Sequence, residues 1–197
     1  PERYVRAGTV LVDWQAGREN AGVKAVFLKD ALRNEDGVAF MRLRAEKGLC
    51  DFRVAEAKDT KRPNGVRGFE TRVRLHGTNA FLQVFAPWKS RFDVRLVNGR
   101  CYPGAVAWPA NGLFHSIALE ERYALPTDEW FDVAVRLDPE GEATLYVNGY
   151  LMGHVDLTRL HGGVIKDDYA ILHGGLSSKD DPAASIDIQY MRLVHGK

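Results

Sequence analysis

The chain has 197 residues, 45% hydrophobic and 27% charged, which suits a single globular domain over 1–197. Lysine and arginine number 27 against 26 aspartates and glutamates, a formal net charge of +1 that argues against a general nucleic-acid binder. No apolar run reaches the length of a membrane span, and no basic segment leads into an apolar one as a leader would, so neither nucleic acid nor membrane is an expected partner.

In chain order, 4–14 (YVRAGTVLVDW) reads as an opening strand and 15–22 as a polar loop. The run 23–32 (VKAVFLKDAL) fits a short helix or a strand equally, because short apolar runs are not settled by periodicity. Asn34-Glu35-Asp36-Gly37 is a turn, and 38–45 alternates, with Phe40, Arg42 and Arg44 opposite Met41 and Leu43. A strand over 49–55 and a charged loop over 58–68 lead into the most regular block. There 69–76 (FETRVRLH) and 80–85 (AFLQVF) form a hairpin, followed by a strand over 92–97, the turn Asn98-Gly99 and a short strand over 100–102. After a loop and a strand over 113–119 comes a meander. Phe131, Val133, Val135 and Leu137 alternate with polar residues, Asp138 to Gly141 turns, 143–147 returns, and Asn148-Gly149 is the strongest hairpin signal in the chain. The stretch 156–168 is irregular, with a helical turn expected at 157–160, and strands over 169–172 and 185–194 close the chain. About eleven short strands at close spacing predict an all-β, two-sheet antiparallel β-sandwich of jelly-roll type.

Two blocks carry a family resemblance. Trp130-x-x-Val133-x-Val135 with Ala143-x-Leu145-Tyr146-Val147-Asn148-Gly149, and Ile171 to Gly175 with Ile186-Asp187-Ile188-x-Tyr190-Met191-x-Leu193, resemble laminin-G-like and pentraxin-like domains. These belong to the concanavalin-A-like lectin and glucanase superfamily, and the resemblance covers the C-terminal two thirds. It implies two curved antiparallel sheets, with ligands met on the concave face or at the loop rim. It also implies a secreted or periplasmic setting and a place beside other domains of a larger chain. Function does not follow from such a fold alone, since it hosts lectins, binding modules, hydrolases, lyases and interaction domains.

Strand alternation sets Glu70, Arg72, Arg74 and His76 opposite Phe69, Thr71, Val73 and Leu75, and Asp93 and Arg95 opposite Phe92, Val94 and Leu96. Arg42, Arg44, Arg72, Arg74 and Arg95 are therefore expected on one sheet surface, with Gln83 beside them. Guanidinium groups bind carboxylate or sulfate bidentately, so this ladder suits an acidic polysaccharide, with Trp88 and Trp108 as loop platforms for sugar rings. The plainer alternative is a solvated face on which Glu70 and Asp93 pair with the arginines.

Catalysis has less support. The Glu-x-Asp-x-Glu run of family glucanases is absent, which counts against a retaining glycosidase. A polysaccharide lyase could draw on Arg72, Arg74, His76, Gln83, His115 and Tyr146 to neutralise a uronate and take its proton. However, Gln83-Val84-Phe85 lacks the histidine that jelly-roll alginate lyases carry at that point. A protein-interaction domain of laminin-G type is the other alternative. No cofactor is required by any of these readings. A structural calcium is implied by related sandwiches, with Asp180, Asp181 and Asp187 as its acidic candidates. Cys50 and Cys101 fit no metal spacing and are compatible with one disulfide or two thiols.

Overall fold

The computed structural model describes residues 2–19, 23–26, 32–44, 49–56, 66–77, 80–86, 90–97, 100–107, 115–118, 127–138, 142–156, 172–177 and 185–195. Among these there is no helix, and every strand pairing is antiparallel. The strands are β1 (Thr9–Gln15), β2 (Val23–Val26), β3 (Leu32–Glu35), β4 (Val38–Arg44), β5 (Leu49–Glu56), β6 (Val66–His76), β7 (Ala80–Ala86) and β8 (Ser90–Val97). They continue with β9 (Arg100–Ala107), β10 (His115–Ala118), β11 (Phe131–Leu137), β12 (Glu142–Val147), β13 (Tyr150–Asp156), β14 (Leu172–Ser177) and β15 (Ser185–His195).

Two sheets form the sandwich. The first has eight strands in the order β13-β12-β11-β6-β15-β4-β3, with β1 paired to the far half of β15. The second has seven, in the order β10-β9-β8-β7-β14-β5-β2. The ambiguous run over 23–32 thus contributes the strand β2 and the start of β3. The turn expected at Asn34 to Gly37 is tighter than read: Asn34 and Glu35 belong to β3, and Asp36 (φ 50°) and Gly37 (φ 80°) alone make the turn. Asn148 (φ 49°) and Gly149 (φ 80°) repeat this geometry. Positive φ at both central residues is the type I′ requirement, which explains why Asp-Gly and Asn-Gly stand there.

The core lies against one face of the eight-stranded sheet. Phe69, Val73 and Leu75 of β6, Phe131, Val133 and Val135 of β11, Leu145 of β12 and Ile186, Ile188 and Met191 of β15 are buried. The alternation predicted for β6 and β11 accounts for this set. In β15 the alternation breaks. The register with β6 shifts between Ile188 and Tyr190, so Gln189 is the extra residue of a β-bulge. Because of that bulge, Asp187, Tyr190 and Arg192 all lie on the face opposite the core, which strict alternation would forbid.

Cys50 and Cys101 sit in β5 and β9, four strand spacings apart across the seven-stranded sheet. At about 4.8 Å per spacing that is roughly 19 Å, against the ~7 Å limit for a disulfide, so the two do not pair with each other.

Candidate functional site

The face of the eight-stranded sheet away from the core carries the residues singled out for their charge. Glu70, Arg72, Arg74 and His76 alternate along β6, and the register sets Arg74 opposite Asp187, Arg72 opposite Tyr190 and Asp132, and Arg42 opposite Asp187. Every arginine of this group is paired. The Asp187 carboxylate, 0% exposed, accepts from Arg42 Nε at 2.7 Å, Arg42 Nη2 at 2.9 Å and Arg74 Nε at 2.9 Å. Arg74 also reaches Glu35, and Arg72 Nη1 donates to Asp132 Oδ2 at 2.8 Å. Arg192 meets Asp13 and Glu70, Arg6 meets Glu70, and Arg136 meets Glu2. Cation and carboxylate are matched, as in the plainer alternative, although the partners are mostly residues that sequence alone did not suggest.

Aromatic rings underlie the densest part. Phe40, 2% exposed, lies under the guanidinium groups of Arg42 and Arg74, at 5.3 and 5.2 Å from its centroid. Trp130 packs edge-on against Phe40 at 5.6 Å and takes Arg74 over its own ring at 4.8 Å. Trp130 is therefore half-buried on the ion-pair face. Trp14 is buried.

His76 completes the cluster. Its Nδ1 lies 2.6 Å from Asp128 Oδ1 and its Nε2 2.7 Å from Asp187 Oδ2. A carboxylate only accepts, so both ring nitrogens must donate, and the ring is the imidazolium. The Asp187 bond is the main cause that raises the His76 pKa; burial opposes it and Asp128 reinforces it. Burial alone would raise Asp187, but the bonds from Arg42 and His76 outweigh it and hold that carboxyl at about 2. Glu70 is likewise lowered, burial being outweighed by Arg6 and Tyr4.

The signs give a pH profile. The raised His76 contributes stability that is complete below its ordinary 6.5 and is lost as pH rises through the folded value. The lowered Asp187 contributes stability that is complete above its ordinary 3.8 and is lost as pH falls towards about 2. Urea midpoints should therefore be highest between about pH 4 and 6.5 and fall on the alkaline side. His76→Gln should be less stable but lose the alkaline fall; an unchanged alkaline slope in that variant would refute the assignment.

The residues proposed for a lyase do not converge. Arg72, Arg74 and Tyr146 belong to the eight-stranded sheet, whereas Gln83 (β7) and His115 (β10) belong to the other. The Tyr146 hydroxyl donates to Glu2 at 2.6 Å under the Tyr4 ring, and burial first, then Glu2, pushes its pKa up to about 12. A covered hydroxyl with a raised pKa is unsuited to take a proton near neutrality. The expected five-arginine ladder is divided too. Arg42, Arg44, Arg72 and Arg74 lie in β4 and β6, and Arg95 lies in β8 of the seven-stranded sheet. Strand order decides this, and alternation within single strands carries no information about it. Asp187 has its oxygens occupied by two guanidinium groups and an imidazolium, so the calcium expectation falls back on Asp180 and Asp181. Those two, with Trp88 and Trp108, lie outside the described residues.

The register of the seven-stranded sheet brings other residues together. One cross-strand row runs Arg53, His173, Phe85, Arg91, Val106, Ser116. The next runs Asp51, Gly175, Gln83, Asp93, Gly104, and the third Leu49, Ser177, Phe81, Arg95, Tyr102. The rows between them are apolar, for example Phe52, Gly174, Val84, Phe92, Ala105.

A cleft of about 580 Å³ opens on the eight-stranded sheet, floored by Arg72, Asp132 and Tyr190 and edged by Gly17, Gly37 and Gln189. The sequence reading did not single it out; the broken alternation at Gln189 is the signal that marks it.

No family model and no curated protein matches the chain. Solved structures do. The catalytic domain of an endo-1,3-beta-glucanase (laminarinase) from Thermotoga petrophila RKU-1 superposes with a TM-score of 0.62 at 12% identity, over 98% of this chain and 100% of that one. The fold is the concanavalin-A-like jelly roll. A carbohydrate esterase from the Shiga toxin-encoding bacteriophage phi24B gives 0.64 at 13% identity, over 96% and 100%. The botulinum neurotoxin serotype D ligand binding domain, in complex with N-acetylneuraminic acid, gives 0.67 at 13% identity, over 98% of this chain and 48% of that one. The chain thus spans about half the length of that neurotoxin domain.

Proposed function

We propose that this chain is a carbohydrate-recognition domain whose ligand lies along the polar rows of the seven-stranded sheet. The carrying observation is the register. Rows of Arg53, His173 and Arg91, of Asp51, Gln83 and Asp93, and of Arg95 and Tyr102 alternate with apolar rows. Alternate rows belong to opposite faces, and a sandwich closes its apolar face on the partner sheet. The polar rows bring together hydrogen-bonding and aromatic residue types at neighbouring register positions, which suits sugar hydroxyls and ring faces. That a glucanase, a carbohydrate esterase and a sialic-acid-bound domain share the fold supports glycan recognition in general. An acidic glycan is the finer form of the proposal, with Arg53, Arg91 and Arg95 as its carboxylate or sulfate readers and Trp88 and Trp108 as flanking platforms. Arg42, Arg72 and Arg74 contribute less to such a ligand, because their charge is already matched.

Binding is favoured over hydrolysis. Asp51 and Asp93 share a row but stand three spacings apart, about 14 Å, beyond the ~5 to ~9.5 Å that glycosidase carboxylates need.

Affinity electrophoresis through gels carrying acidic or neutral polysaccharides tests this. Retardation is expected on an acidic polymer, weakened about tenfold or more by Arg95→Glu with Gln83→Ala and unaltered by Arg136→Gln on the other sheet. Equal retardation of all three proteins would overturn the assignment.

A further inference from the structure

Charge pairs on the eight-stranded sheet differ in one respect that points beyond folding. Asp187 is sealed under Arg42 and Arg74, its side chain 0% exposed, and that of Glu70 is 7% exposed under Arg6. The pair Arg72–Asp132 is held just as firmly yet left open, with side chains 36% and 41% exposed. It lies on the floor of the 580 Å³ cleft.

Hydrogen bonds tie several parts of that cleft together. The bulge residue Gln189 accepts from Ala16 N at 2.9 Å, which ties the turn after β1 to β15. Asp132 N donates to Asn148 Oδ1 at 2.9 Å, and Asn148 N donates back to Asp132 O at 2.9 Å, so the β12–β13 turn pins the start of β11. Tyr190 donates its hydroxyl to Asp132 Oδ1 at 2.9 Å, while Arg192 covers the Tyr190 ring at 4.0 Å. A Cβ at Gly17 would come within 2.8 Å of the Ala39 Cβ, so the rims meet at that end; a Cβ at Gly37 would meet nothing within 4 Å, so the other side is open.

We propose that this cleft is a second binding site, for one or two rings of a neutral saccharide, with Arg72 and Asp132 reading adjacent hydroxyls. Each Asp132 oxygen holds one protein donor and keeps a lone pair for a hydroxyl, and the Arg72 contact uses Nη1 of a five-donor fork. A vicinal diol offers donor and acceptor side by side, which such a preoriented pair matches. The charges of the floor are matched: Arg72 is balanced by Asp132, and Arg192 by Asp13 and Glu70, while Arg18 stands at the rim. The volume lies within the range of small-ligand sites. The ligand class rests on the glycan-recognition reading above; the location does not.

Titration of the labelled protein with glucose, galactose, mannose, N-acetylglucosamine, lactose and cellobiose, followed by amide chemical shifts, tests the site. At least one of these should shift Gly17, Gly37 and Gln189, and both Arg72→Gln and Asp132→Asn should weaken it about tenfold or more while their spectra stay folded. Gln83→Ala should leave it unchanged. Shifts confined to β5, β7, β8 and β14 would overturn this site and leave the glycan reading standing. Shifts confined to the cleft are the result expected of these neutral sugars, and the seven-stranded sheet is tested separately by the acidic polysaccharide above. No shift with any sugar, or equal affinity in the cleft variants, overturns the inference.

Discussion

Asp187→Ala should destabilise the fold by about 3–5 kcal/mol, the largest effect expected of any charged residue among the described ones. Its carboxylate is 0% exposed and joins β4, β6 and β15 through Arg42, Arg74 and His76. Removing it leaves three cations facing one another, two of them over Phe40 and Trp130, with Glu35 and Asp128 as partners only for Arg74 and His76. The cost is that of uncompensated buried charge, which exceeds the net worth of the pair itself. Urea unfolding should show a lowered midpoint with an unchanged slope. Arg72→Gln is the contrast: it breaks an ion pair that is more than one-third exposed on both sides, and should cost no more than about 1 kcal/mol. A loss under 1 kcal/mol for Asp187→Ala would mean that the cluster is not formed.

Gly68→Ala should be comparably severe for a different reason. A Cβ there would lie 2.0 Å from the carbonyl oxygen of Val135 and 3.1 Å from its carbonyl carbon. These are backbone atoms of a paired strand, so they cannot rotate aside. Gly68 is opposite Arg136 in β11 and Val194 in β15, next to the register shift between Val194 and His195. The substitution must either part β6 from β11 or shift the register, at about 3 kcal/mol or more. Gly37→Ala, where φ is 80° but space is open, should cost only ~1–2 kcal/mol from backbone strain. Thermal unfolding of the two variants side by side distinguishes a steric requirement from a conformational one; equal losses would contradict the close approach at Gly68.

These residues show what the sequence could carry. The period-two runs of β6 and β11 and the Asn148-Gly149 turn were legible because alternation and turn chemistry are local. Which strands lie side by side is not local. Arg42 and Asp187 are 145 positions apart, and Arg74 and Asp187 are 113 apart, so nothing near any of them announces the cluster. The same blindness merged Arg95 with Arg72 and Arg74, although a different sheet holds it. Phe40 was read as part of an arginine face, and it does lie there, buried because guanidinium groups lie over its ring. Trp130 lies on that face for the same reason: a large ring next to a strand finds cations as readily as aliphatic neighbours. The bulge at Gln189 was written in the sequence as two polar-to-aromatic positions in succession, Gln189-Tyr190, between Ile188 and Met191. Its consequence, an open cleft, needed the neighbouring strands.

Glycan recognition on the seven-stranded sheet, as proposed, is tested most directly by an amide-shift map recorded while an acidic oligosaccharide is titrated in. Shifts are expected to concentrate in β5, β7, β8 and β14, around Arg53, Gln83, Arg95 and His173. Saturable binding that moves only the ion-paired strands β4, β6 and β15 would contradict it.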